Sequence, residues 1–525
     1  MRTSFFVAFF VLSISSYAQK PGFAKAPFWA SHGSMDYNHP DARLIGDAKD
    51  GYMRLVHEVQ VNIGTHTTYQ RTVIRILTAA GVQKKSEVSA TYDPSYQHLF
   101  FHRICIIRNG KEIDKLDLSK IKTLHQEKEL ERFVYNGTVK AVLFLEDVRK
   151  GDMIEYAYSV QGFNPIFKDK FSDEEEVQSG EPVGQILYRV ICPSGRELAM
   201  RSIRSDVRPV VSAEGSDKIY QWTFNNVPAL QKQDDLPSWY NPYPMVEVSE
   251  FRDWAAVDKW AMSLFSRGHS LSPGLKRKIG EIKGEAKGDR EKEVLEALRF
   301  VQDEVRYLGV EMGINSYKPN DPNKIFAQRF GDCKDKSFLL CTMLGAMGID
   351  AAPVLINTDD KQELCRMLPS AVDFDHCTVR VRLGDKTYWF DPTIAFQRGQ
   401  IGDIAYPDYK CGLVLTDTTT RLTDIPLQDR GRVVVKEGFV IKDEYGPAKL
   451  EVTADYTGSF ADDIRYDLNN SSLSDIQSSL LDFFDNYYQG IKAVDSLKVE
   501  DDEVTGKIRI RGHYTVGKIW EQKDG

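Results

Sequence analysis

Three side chains in this sequence have the types and order needed for acyl-transfer chemistry: Cys333, His376 and Asp391. Cys333 follows Gly331-Asp332 and opens a run, Lys334-Asp335-Lys336-Ser337-Phe338-Leu339-Leu340-Cys341-Thr342-Met343-Leu344-Gly345, long and apolar enough to form a buried helix. Asp332 is a good N-cap type, so Cys333 falls in the first turn, where unpaired backbone N–H groups favour an anion. A thiolate in that place is a nucleophile. A free cysteine is as often a small buried apolar residue, and this stretch alone leaves both readings open.

The strands downstream favour chemistry. His376 to Leu383 alternates cleanly, Gly384-Asp385 is a two-residue turn, and Lys386 to Asp391 returns, which together read as a hairpin. If Leu383 pairs with Lys386, Thr378 lies opposite Asp391, and His376 becomes the diagonal neighbour of Asp391 on one face. An aspartate beside a histidine fixes the imidazole tautomer and stabilises its charged form. A thiol facing that histidine completes a nucleophile–base–orienter arrangement. Taken singly, His376 reads as a strand-end residue and Asp391 as a turn former before Pro392; order and spacing favour the functional reading. Acyl transfer also needs donors for an oxyanion. The Cys333 backbone N–H is one candidate, with Gln328 and Tyr307 as secondary ones. Cys377 points to the opposite face of its strand from His376 and reads as core, as does Cys341 on the helix.

The blocks Gly331-Asp332-Cys333-Lys334-Asp335-Lys336, Asp375-His376 and Trp389-Phe390-Asp391-Pro392-Thr393, in that order, resemble the transglutaminase-like superfamily. Its bacterial members share a cysteine–histidine–aspartate order on a papain-like α+β core. The resemblance covers roughly residues 245 to 400. It implies Cys333 as nucleophile, His376 as general base and acid, and Asp391 as its orienter. The implied activity is a thiol-dependent acyltransferase or hydrolase acting on peptide or isopeptide amides through a thioester. Relatives include cross-linking enzymes, peptidases, amidases and inactive copies, so a binding or assembly protein that keeps the fold is the alternative. The β-rich region upstream resembles, more loosely, the uncharacterised domain that often precedes such cores in exported bacterial proteins. No cofactor or metal is expected: no Cys-x-x-Cys occurs, and no acidic loop matches the calcium dependence of some animal relatives.

The elements that must position these residues divide the chain. Met1-Arg2, the apolar run Phe5 to Leu12 and Ser16-Tyr17-Ala18 read as a signal peptide over residues 1–18, cleaved between Ala18 and Gln19. The expected location is therefore periplasmic or secreted. No later segment has the length and apolarity of a membrane span. Residues 40–244 carry many short strand signals with turns between them, including a hairpin at Asn109-Gly110, and suggest a β-sandwich-like domain. His102 within it reads as structural rather than as a ligand. Residues 245–425 hold the α+β core. Its helices are expected at Phe251 to Ser266, Arg290 to Arg306 and Asn323 to Gln328, with a polar interval around Gly280 to Gly288, and a buried strand at Pro353 to Asn357. Residues 426–525 are again β-rich, with a helix at about Ser472 to Tyr488. They end on strand-like sequence without a closing element, which leaves open an incomplete domain.

Composition sets the remaining bounds. With 42 % hydrophobic residues in 525, the chain is globular and long enough for about three domains. Lysines and arginines number 68 against 76 acidic residues, a net charge of −8, with no long basic run. Nucleic acid is not an expected partner. A protein or peptide substrate is, together with a cell-envelope partner through the β-rich domains. The seven cysteines are an odd number, so at least one is unpaired within a single chain.

Overall fold

The computed structural model describes residues 20–33, 35, 41–125, 134–231, 233–265, 270–443 and 446–517; the expected signal peptide and its cleavage point lie outside them. The protein is multidomain, with a β-rich N-terminal region, a helix-containing core and a β-rich C-terminal region. In the first region a nine-stranded sheet carries two three-stranded sheets. Its central strand, Val183–Cys192, is buried along its whole length, which explains an apolar run without alternation. One small sheet (Glu87–Tyr92, Val139–Phe144, Lys122–His125) packs on the large one through Val88, Ala90, Leu143, Ile74 and Phe101. The other (Ser172–Glu176, Met245–Ser249, Ala199–Ile203) packs through Val246, Val248, Tyr188 and Trp222. The Asn109-Gly110 hairpin forms, with Arg108 opposite Lys111. His102 bridges the Ala24 carbonyl at 2.9 Å and the Ser159 hydroxyl at 2.8 Å, a structural role.

The central region is built from helices α1 (Trp254–Met262), α2 (Pro273–Ala286), α3 (Arg290–Glu304), α4 (Pro322–Gln328) and α5 (Cys333–Ala346). They accompany an antiparallel sheet of β1 (Asp350–Ile356), β2 (His376–Leu383), β3 (Lys386–Phe390) and β4 (Cys411–Val414), with Thr423–Asp424 at its edge. Helix α5 is buried almost all round, packing Leu339, Leu340, Met343 and Leu344 against α3 and the sheet residues Val379 and Val381. Helix α2 corrects the expected polar interval. Ser272 caps it, Pro273 starts it, and Leu275, Ile279, Ile282 and Ala286 line its buried face at helical spacing. Its lysines, glutamates and two interior glycines mask that stripe, and packing on α3 outweighs the glycine penalty.

The C-terminal region is a five-stranded sheet with helices Ser459–Asn470 and Leu473–Asp485, the first of which the sequence pattern does not signal. Among the described residues no helix is long and apolar enough to cross a membrane.

Candidate active site

Helix α5 begins where the sequence places its start. Asp332 caps it, its Oδ1 accepting from the Asp335 N–H at 3.1 Å, and Cys333 is the first helical residue, only 5 % exposed. The charges that follow point inward rather than to solvent. Lys334 donates to Asp332 Oδ2 at 2.6 Å and to Glu311 Oε1 at 3.3 Å. Burial opposes its charge, but those two carboxylates outweigh burial and hold the ammonium protonated. Asp335 accepts from the Asn320 N–H at 2.7 Å and from its side-chain amide at 2.9 Å. Lys336 donates to the Gln302 and Val305 carbonyls at the end of α3, and burial pushes its pKa down to about 8. Gly331 lies so close to Asp335 that a Cβ there would meet the Asp335 Cβ at 2.6 Å. The turn before the thiol is thus fixed by every residue around it.

The hairpin forms in the expected register, Leu383 opposite Lys386 and Val379 opposite Phe390. His376 Nε2 donates to Asp391 Oδ2 at 2.8 Å, and the Cys333 sulfur lies close to the ring. Burial opposes the charged ring, yet the Asp391 carboxylate and the Cys333 sulfur raise its pKa well above the imidazole range. Asp391 is 1 % exposed and fully engaged. Its Oδ2 also accepts from the Tyr409 hydroxyl at 2.9 Å, and its Oδ1 from the Thr393 N–H at 2.9 Å and hydroxyl at 2.6 Å. Burial alone would raise this acid; His376 and Thr393 overcome it and bring it down to about 2.

Tyr307 is brought to the thiol: its strand, Arg306–Tyr307, runs parallel to Phe330–Gly331, and its ring packs in the cluster that contains Cys333. Burial and the neighbouring sulfur keep its hydroxyl protonated. Gln328 does not line the site. Its side-chain amide donates to the Phe330 carbonyl at 2.8 Å and steadies the turn before Cys333 instead. Cys377 and Cys341 are buried, Cys377 beneath the site and Cys341 in the α5 core. Cys365 and Cys411 form a disulfide that closes the segment carrying His376 and Asp391. Sequence reasoning missed Tyr409 and Glu311, which no local spacing signals. It also missed Thr393, two residues after Asp391, whose N–H meets the Asp391 side chain as in an Asx-turn.

Residues 277–392 match the model of the transglutaminase-like superfamily. The centre of this chain is a transglutaminase-like domain. Residues 62–231 match DUF3857, a domain of unknown function represented among solved structures. A crystal structure of a "putative protease" from Parabacteroides distasonis is 14 % identical over 90 % of this chain and 94 % of its own, with a TM-score of 0.57, a likeness of fold. A "putative cysteine protease" from Cytophaga hutchinsonii is 12 % identical over 42 % of this chain and 74 % of its own, with a TM-score of 0.19. Legionella pneumophila aminopeptidase A, solved with aspartic acid, is 9 % identical over 50 % and 28 %, with a TM-score of 0.23. The last two superpose too poorly to bear on the fold. No curated protein matches the chain.

In the transglutaminase-like domain the thiol and the imidazole open onto a cavity of about 240 Å³, walled by Trp260, Phe265, Leu355 and Phe374 together with Glu311 and Tyr317. Among the described residues no group of three or more His, Cys, Asp or Glu side chains is arranged to hold a metal ion.

Proposed function

We propose that this protein is an exported thiol-dependent acyltransferase or hydrolase acting on peptide or isopeptide amides, with Cys333, His376 and Asp391 as a catalytic triad. The observation that carries the reading is the 2.8 Å His376–Asp391 hydrogen bond on an imidazole that lines one cavity with a thiol at a helix start. The Cys333 sulfur attacks the carboxamide carbon, forming a C–S bond. As the C–N bond breaks, His376 gives its proton to the leaving amine. Water or a second amine then attacks the thioester, His376 takes the incoming proton, and the thiolate leaves. The Cys333 N–H, in the first turn of the helix, and the Tyr307 hydroxyl are the donors for the developing oxyanion. Export draws support from the N-terminal pattern and from the disulfide, since such bonds persist in oxidising compartments.

Alkylation with iodoacetamide at neutral pH tests the nucleophile. Cys333 is expected to label well before Cys341 and Cys377, and equal labelling overturns the reading. Casein with a labelled primary amine separates transfer, seen as incorporation, from hydrolysis, seen as fragments. A binding or assembly role for the same fold, through an envelope partner, is favoured by one observation: strand Val433–Val440 of the C-terminal sheet is exposed along its whole length. Slow alkylation of Cys333 would bring that reading forward.

A further inference from the structure

The cavity beside the thiol is smaller than the ~300–1,000 Å³ of sites that enclose a whole small ligand, and its size suits one side chain of a longer substrate. Its lining is aromatic and aliphatic on the α1 side, through Trp260, Leu264 and Phe265, and Leu355 and Phe374 continue that surface. The carboxylates at its edge do not offer a free anion site for a cationic group. Glu311 pairs with Lys334, and Asp375 accepts from the Thr358 N–H at 2.9 Å and its hydroxyl at 2.6 Å. The α1 side of the surface matches an apolar group, with Ser316, Lys334 and Glu311 on its polar edge.

Two of these walls are held from outside the transglutaminase-like domain. Trp260 Nε1 donates to the Ile166 carbonyl at 2.8 Å. The Phe167 ring stands behind the wall, 5.6 Å from Trp260 and 4.9 Å from Tyr317 between centroids. The loop that brings Glu311 and Tyr317 to the cavity is gripped from the same side. Gly309–Val310 pairs in parallel with Val134–Tyr135, and the Glu311 N–H donates to the Tyr135 carbonyl at 2.8 Å. The Gly313 N–H donates to Asp93 Oδ2 at 3.2 Å, and its carbonyl accepts from the Asn164 amide at 3.0 Å. Gly313 has φ of +58°, and a Cβ there would meet the Ser95 Oγ at 2.8 Å, so the fit requires glycine. Asp93, Val134, Tyr135, Asn164, Ile166 and Phe167 all lie in the segment that matches the domain of unknown function.

We propose that the cavity receives a bulky apolar side chain of the acyl donor, adjacent to the amide that Cys333 attacks, and that the N-terminal domain sets its fit through Phe167 and the Asn164–Gly313 clamp. The proposal rests on Cys333 being the nucleophile. It gives the N-terminal domain a share in substrate selection: Phe167 and Asn164 are positioning residues that act through Trp260, Tyr317 and the Gly313 loop.

Peptidyl chloromethyl ketones test it on the full chain. The Cys333 sulfur forms a C–S bond to the methylene as chloride leaves, so the rate reads how well the adjacent side chain fits. Reagents with phenylalanine or leucine next to the ketone are expected to modify Cys333 about tenfold or more faster than the alanine reagent, the discrimination an apolar pocket draws from a few carbons. The glutamate reagent is expected to be slowest. Phe167→Ala and Asn164→Ala are each expected to bring the phenylalanine-to-alanine ratio towards one while leaving the iodoacetamide rate of Cys333 unchanged. Asn164→Ala, in a half-buried loop, decides the matter should Phe167→Ala fail to melt cooperatively. Equal rates for phenylalanine, leucine and alanine reagents with rapid iodoacetamide labelling overturn the pocket but not the nucleophile. Slow labelling by every reagent overturns both. A preference that survives both substitutions overturns the part given to the N-terminal domain.

Discussion

Asp391 and Asp373 are buried carboxylates on either side of His376 in the sequence, 1 % and 6 % exposed. Asp391 meets four donors, two on each oxygen, and stays ionised with a pKa of about 2. Asp373 lies on the loop before His376, where that loop packs on the small sheet of the N-terminal region. Among the described residues neither of its oxygens has a donor in hydrogen-bond geometry. It faces Glu174, with Asp360 near it, and Glu247 stands close by, all acidic. Burial pushes Asp373 up to about 6, Glu247 to about 7 and Glu174 to about 8. Burial is common to both places; the supply of donors decides whether a buried acid keeps its charge or takes a proton.

The two carboxylates therefore bias stability in opposite directions with pH. Asp391, lowered in the folded protein, contributes stability above the ordinary carboxylate pKa that is lost as pH falls through about 2. His376, raised, contributes stability below the ordinary imidazole pKa that is lost as pH rises through its folded value. At the Asp373 cluster the folded state holds protons that the unfolded chain has released, so stability declines as pH rises from about 4 to about 8.

The largest expected effect comes from breaking the satisfied site. Asp391→Ala leaves the His376 imidazolium without its partner. The rate of Cys333 alkylation at neutral pH is expected to fall on the order of 100-fold or more, and denaturant melts to lose about 3 kcal/mol. An unchanged alkylation rate would overturn the orienting role proposed for Asp391. Next in size is reduction of the Cys365–Cys411 disulfide, which spans 46 residues and closes the segment bearing Asp373, His376 and Asp391. Melts with and without reductant are expected to differ by about 2–4 kcal/mol, with the larger loss at pH 8, where the Asp373 cluster is charged. A loss that does not grow between pH 5.5 and pH 8 would uncouple the disulfide from the acidic loop. The smallest effect is expected from Asp373→Asn, which takes a charge out of the unsatisfied site. At pH 8 it should stabilise the protein by about 1–2 kcal/mol, and the decline of stability with rising pH should flatten. An unaltered pH slope would show that Asp373 does not titrate with folding.

Local chemistry made much of the site legible in the sequence. Asp332 caps α5 because its side chain is the right length for the third N–H beyond it, and Cys333 follows as the first helical residue. Gly384-Asp385 fixes the hairpin register, and a period of two then puts His376 and Asp391 on one face. These relations span at most 15 residues and depend on backbone geometry alone. Other features needed the folded chain. Helix α2 is set by packing on α3, which outweighs its glycines. Tyr409 reaches Asp391 from a segment that has no periodic relation to the hairpin. Lys334, Asp335 and Lys336 open the helix with three charges, and all are buried, because Asp332, Glu311, Asn320 and the carbonyls ending α3 surround them. The same holds for the wall behind the cavity, where Phe167 and Tyr317, 150 residues apart, meet ring to ring. Sequence determines what the backbone does over one turn or one hairpin; which distant side chains satisfy a buried group is decided only when the layers pack.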